Sequence, residues 1–114
     1  MQPEKGRKEF QPATKGADCY TPAVHFEWDL EKAAANLRKH GVSFAEAASL
    51  FGDPLSRTFP DPDHSLDEQR FLTVGMSEGR RLLVVAHTEH GDSIRIISAR
   101  PATRRERRWY EEQA

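Results

Sequence analysis

Residues 93–109 read SIRIISARPATRRERRW, and the fold turns on where this stretch changes character. From Ser93 to Ala99, arginine and isoleucine alternate as in a β-strand, whose side chains point to opposite faces in turn. A period of two puts Arg95, Ile97 and Ala99 on one face, and Ile94, Ile96, Ser98 and Arg100 on the other. Arg100-Pro101 ends the strand. Thr103-x-x-Glu106 then matches a helical capping box, so a closing helix is expected from Arg104 to Glu112. Six arginines face one glutamate in this stretch, although the whole chain carries a formal charge of only -1. Planar guanidinium groups on a strand and the helix after it suit a polyanion such as RNA better than a small neutral substrate.

Upstream, two runs show helical spacing. Asp29 is a good N-cap for Leu30, Ala33, Ala34 and Leu37, which follow at i, i+3, i+4 and i+7 and read as one buried face. Gly41 suits the left-handed C-cap. Ser43 and Glu46 form a second capping box ahead of Phe44, Ala47, Ala48 and Phe51, and Gly52-Asp53-Pro54 ends that helix. His25 to Trp28 reads as a short strand. Leu55–Phe59, Arg70–Met76, Arg81–Thr88 and Ser93–Ala99 then read as consecutive strands, most joined by turns too short for anything but antiparallel pairing. The expected fold is α+β: two N-terminal helices, a four-stranded antiparallel β-meander, and a C-terminal helix, with the helices on one sheet face. That last helix has a poor apolar face, with Trp109 expected over Ala102 and Arg105.

With 114 residues the chain suits one domain with one core. Residues 1–23 hold three prolines, two glycines and no periodicity, and are expected to be a disordered extension to a domain over 24–114. No apolar run approaches the roughly 20 residues needed to span a bilayer, and the N-terminus lacks the apolar core of a secretory signal. Cys19 is the single cysteine, which excludes an internal disulfide and points to a reducing cytoplasm. His87-x-x-His90 straddles a strand end and a turn, so its rings need not share a face. With no His-Glu-x-x-His helix and no cysteine pair, no metal or other cofactor is expected.

FEWDLEKAAANLRKHGVSFAEAASLFGDP (26–54), FLTVGM (71–76), LLVVAHTE (82–89) and IRIISARPATRRER (94–107), with Glu68-Gln69-Arg70, together resemble the BrnT family of bacterial type II toxins. The resemblance implies a RelE-like microbial ribonuclease fold and a metal-independent endoribonuclease that blocks translation. It also implies a BrnA-like ribbon-helix-helix antitoxin, in a 2:2 complex that binds its own promoter through the antitoxin. RNA cleavage by 2′-OH attack needs a base, donors for the phosphorane, and an acid. His87 and Glu89 are the candidate base and acid, with His64 in reserve or on the RNA. Arg70, Arg95 and Arg100 are candidates for the phosphate clamp. Arg104, Arg105 and Arg108 would follow the RNA backbone or meet the antitoxin. The competing functions are a nucleic-acid-binding subunit without activity and a RelE/ParE-fold toxin acting on another target such as DNA gyrase.

Overall fold

In the computed structural model, residues 24–61 and 68–112 are described. The disordered extension expected for residues 1–23, and His64, lie outside them. The elements are β1 (His25–Glu27), α1 (Leu30–His40), α2 (Phe44–Ser49) with a 3-10 turn (Leu50–Gly52), β2 (Arg57–Pro60), β3 (Phe71–Met76), β4 (Leu82–His90), β5 (Ser93–Pro101) and α3 (Arg104–Glu111). No helix among the described residues is long and apolar enough to cross a membrane.

The expected meander is present as β2-β3-β4-β5, but the sheet has five strands and is mixed. β1 joins its edge in parallel to β5, with Phe26 opposite Ile94, giving the order β1-β5-β4-β3-β2. Three residues hold no visible period, so only the partner strand reveals this one as part of the sheet.

Helices cover both faces rather than one. α1 and α2 close a core of Phe26, Phe44, Leu50, Leu83, Val85 and Ala99 among others. α3 lies across the opposite face, where Tyr110 packs on Val74, Leu82 and Val84. This division follows from β4, in which Leu82 and Val84 point one way, and Leu83 and Val85 the other. A strand apolar on both faces needs a cover on each.

α1 begins as expected, with the Asp29 carboxylate accepting from the backbone N–H groups of Glu31 and Lys32. Gly41, at φ 71°, ends it in the left-handed region that glycine occupies without strain. Its buried face is not the expected one. Leu30 and Leu37 are 59% and 52% exposed, and Asn36 is buried instead. The Asn36 amide donates to the carbonyls of Val42 and Ala99 and accepts from the Ala99 N–H, so it ties α1, the α1–α2 loop and β5 together. Every polar group of that buried side chain is matched, which makes its burial affordable.

The second capping box is half made. Ser43 accepts from the Glu46 N–H, but the Glu46 carboxylate turns outward to the Arg81 guanidinium and the Ser77 hydroxyl. Arg81 holds the Glu46 carboxyl below its usual range against the opposing effect of burial.

Between β4 and β5 the register slips once: Ala86 is opposite Ser98, but His87 is opposite Ile96. Ile97 is the extra residue of a β-bulge, and the slip inverts the alternation beyond it. Ile94, Ile96 and Ala99 therefore all face α1 and α2. Arg95, Ser98 and Arg100 share the α3 face, where unbroken alternation had placed the two arginines on opposite sides.

Candidate functional site

The register lays out the α3 face in rows. Arg57, Val74, Val84 and Arg100 stand side by side across the four meander strands, and Phe59, Leu72, Ala86 and Ser98 form the next row. Beyond these, Arg95 is opposite Thr88. Arg70, one residue outside β3, flanks Thr88 on its other side by continuation of the same register. His90, opposite Ser93, ends the face. Strand spacing near 4.8 Å makes the face roughly 14 Å wide. Arginines thus frame it on both sides, which no single segment of the sequence reveals.

The framing arginines differ in what they hold. Arg100 donates from both terminal nitrogens to Glu106, at 2.8 and 2.9 Å. That bidentate contact, with the Thr103 N–H donating to the same carboxylate, pulls the Glu106 carboxyl down to about 2 against burial. The Thr103–Glu106 capping box is complete, and its glutamate also binds the arginine at the end of β5. Arg100 is thus bound into the attachment of α3. Arg95 is exposed and, like Arg104, Arg105 and Arg108, has no carboxylate partner among the described residues. Arg70 is half-buried and takes part in contacts of its own, its carbonyl accepting from the Asp61 N–H at 2.8 Å.

His87 lies on the other face, fully enclosed. Its ring packs edge-on to Phe51 and stacked on Phe71, with Nε2 2.7 Å from the Thr73 hydroxyl. Burial pushes the imidazole down to about 4, only partly offset by a backbone hydrogen bond at Thr88, so it is neutral at pH 7. Glu89 shares that face, its carboxylate 3.5 Å from His87 Nδ1. The sheet therefore separates His87 and Glu89 from Arg70, Arg95 and Arg100, and the two groups cannot meet on one substrate without rearrangement.

A titratable pair does stand on the arginine face. His90 Nε2 is 2.6 Å from Glu68 Oε2, both exposed, on the strand end next to Arg95. A carboxylate on one ring nitrogen selects the tautomer that carries its hydrogen there and leaves the lone pair on the other nitrogen. His90 appears in the sequence only as half of a weak metal motif, and Glu68 only within the Glu68-Gln69-Arg70 stretch of the family resemblance. Neither signals the other until β4 is followed to its end, at the Gly91 turn. Among the described residues, no group of three or more His, Cys, Asp or Glu side chains is placed to hold a metal ion.

α3 contributes an aromatic surface. Trp109 is stacked on Phe59, with ring centroids 4.4 Å apart and planes 7° from parallel, rather than lying over Ala102 and Arg105 as expected. The Arg57 guanidinium sits 5.3 Å from the Phe59 ring centroid, adding a cation–π contact. Tyr110 anchors the helix by donating to Asp53 Oδ2. Burial and that carboxylate together raise the Tyr110 phenol to about 12. Burial would raise the Asp53 carboxyl, but hydrogen bonds from Tyr110 and the Leu55 and Met76 N–H groups outweigh it and hold it low.

A solved structure is similar in overall fold. The ribonuclease toxin BrnT of Brucella abortus matches with a TM-score of 0.53 at 25% identity, covering 68% of this chain and 94% of that one. None of the functionally curated proteins compared matches. The family model described as the ribonuclease toxin BrnT of type II toxin–antitoxin systems matches residues 28–106, from just after β1 into α3. The chain belongs to the BrnT family of type II toxin–antitoxin ribonuclease toxins.

Proposed function

We propose that the protein is an endoribonuclease that cleaves RNA with its own side chains, without a metal, and so inhibits translation. The observation that carries this is the shared face of Arg70, Arg95 and the His90–Glu68 pair, in a chain whose family is named for ribonuclease toxins. His90, held by Glu68, removes the 2′-OH proton. The 2′ oxygen bonds to the adjacent phosphorus, and the bond from phosphorus to the 5′ oxygen breaks. That oxygen leaves with a proton from the imidazolium, giving a 2′,3′-cyclic phosphate and a 5′-OH end. Arg95 and Arg70 stabilise the negative charge of the phosphorane, where guanidinium forks match phosphate oxygens. His87 and Arg100 act through the scaffold: His87 fills the core beneath the catalytic end of β4, and Arg100 fixes α3.

Purified protein is expected to cut naked RNA in the presence of EDTA. Arg95→Ala and His90→Gln should each lower the rate by about 10²–10³ with unchanged melting, the range typical of a lost charge donor or base. Intact RNA after prolonged incubation with folded wild type would refute the activity. Full activity in His90→Gln would remove His90 as the base.

We also propose a BrnA-like ribbon-helix-helix antitoxin as the partner, in a 2:2 complex whose two-fold symmetry follows from such dimers and which binds its own promoter through the antitoxin. Light scattering on the co-expressed pair would measure the complex directly, and a 1:1 mass would refute the stoichiometry.

A further inference from the structure

We propose that the outer face of Trp109 is a nucleobase subsite that takes a guanine of the RNA strand. The proposal rests on the ribonuclease function argued above and names a specificity determinant for it. Arg105, Arg108, Trp109 and Glu112 fall at i, i+3, i+4 and i+7, on one face of α3. In most surface helices this stripe is apolar and buried. Here it holds three charged residues and the half-exposed Trp109, and together with Glu106 it lines an open pocket of about 400 Å³. The helix can spare this face because Tyr110–Asp53 holds it from the other side, and Glu106 at the pocket's border is already bound to Arg100.

Three features of the pocket point to a nucleotide. Phe59 covers one face of the indole in a nearly parallel stack, and Trp109 remains 40% exposed. The stack fixes the ring and leaves its other face open, so a base stacking there loses little to ordering of the platform. Arg105 and Arg108 flank it with no carboxylate partner among the described residues, and so are available to the phosphates on either side of that base. Glu112 lines the same pocket, and no described group binds its carboxylate. Guanine presents N1–H and N2–H side by side, two donors matched to the two oxygens of a carboxylate. Adenine offers one such nitrogen, and uracil one with a smaller stacking surface. An acidic protein partner would find the arginines but would be repelled by Glu112 and would have no need of an open indole face.

Titration of the full chain with GMP, AMP and UMP, followed by tryptophan fluorescence, tests the subsite apart from cleavage. Trp28 is buried in the α1–α2 core, so quenching reports on Trp109, and Trp109→Phe should abolish it. GMP is expected to bind about 10-fold more tightly than UMP, a difference typical of stacking and edge recognition. Glu112→Gln should erase the preference for GMP over AMP. In cleavage of oligonucleotides of varied sequence, Trp109→Ala should lower the rate at guanine-containing sites by about 10-fold relative to the others, and Trp109→Phe should restore it. Quenching by GMP in a protein that cuts no RNA would leave the subsite standing and the ribonuclease function refuted. Cleavage with unchanged sequence preference in Trp109→Ala, and no quenching by any nucleotide, would overturn the subsite alone. Shielding of Trp109 by a co-expressed antitoxin but by no nucleotide would overturn it too, and make this face a protein contact.

Discussion

Glu106→Gln should loosen α3 by an amount that depends on pH. The folded carboxyl sits near 2 against an ordinary 4.5, which sets a ceiling of about 3 kcal/mol. Arg100 is 37% exposed, so solvent screens the pair and about 2 kcal/mol is a fairer figure. Gln retains an oxygen for the Thr103 N–H, which keeps most of the cap, so the loss is chiefly that of the charged contact. For a domain of this size, about 2 kcal/mol corresponds to a fall of roughly 8–16 °C in Tm. The depressed pKa makes this stability complete above the ordinary value of 4.5, and it drains away as the pH falls towards 2. Urea unfolding at pH 7, 5 and 3 should therefore show the gap between wild type and variant shrink from about 2 to below about 1 kcal/mol. Arg100→Met should add little to Glu106→Gln, because each removes the same contact. A gap that is equal at pH 7 and pH 3, or additive effects of the two substitutions, would refute this account of how α3 is fastened.

Three other outcomes follow from the same contacts. His87 stays neutral down to about 4, so the wild type should lose about 3 kcal/mol between pH 6.5 and 4 as the unfolded chain takes up a proton that the folded one refuses. His87→Leu should flatten the stability profile over that window, and an unchanged slope would count against a buried neutral imidazole. Tyr110→Phe removes a hydrogen bond to the charged Asp53 carboxylate and should cost about 1.5–3 kcal/mol in urea unfolding. RNA cleavage by the folded variant should be retained. Deleting Ile97 would take out the bulge but keep Ile94 and Ile96 inward and Arg95 outward, because Ser98 would then follow Ile96 in regular alternation. The deletion variant should still melt cooperatively by circular dichroism, and loss of its cooperative transition would refute Ile97 as the extra residue.

Much of the architecture was legible in the sequence because local signals agreed with the packing. Asp29, Gly41, Ser43 and the Thr103–Glu106 box bound the helices as expected, and short turns enforced the antiparallel meander. What escaped depended on partners distant in the chain. The Leu30–Leu37 spacing is a correct helical signal, but the face it marks is outside, because the Asn36 amide found three backbone groups on β5 and the α1–α2 loop. β1 is defined by β5 alone. The site was legible in its chemistry more than in its membership. Arginines at the end of β5 and on α3 announced a polyanion, but period two cannot anticipate a bulge, so the face of Arg95 came out relative to the wrong neighbours. His87 and Glu89 are close in sequence and in space, yet separated by the sheet from the arginines. The His90–Glu68 contact spans 22 positions and leaves no local trace.

The place of β5 in the sheet also governs when this molecule can fold. β5 lies between β1 and β4, it receives the Asn36 amide from 63 residues upstream, and Arg100 at its end holds the closing helix. β1 leaves the ribosome early but has no strand to pair with, and Asn36 lacks the Ala99 backbone groups, until residues 93–101 follow. Loop closure over such separations is slow, and the contacts that reward it come late. A partly made chain is therefore a chain without its arginine face, so the activity emerges only with the last strand.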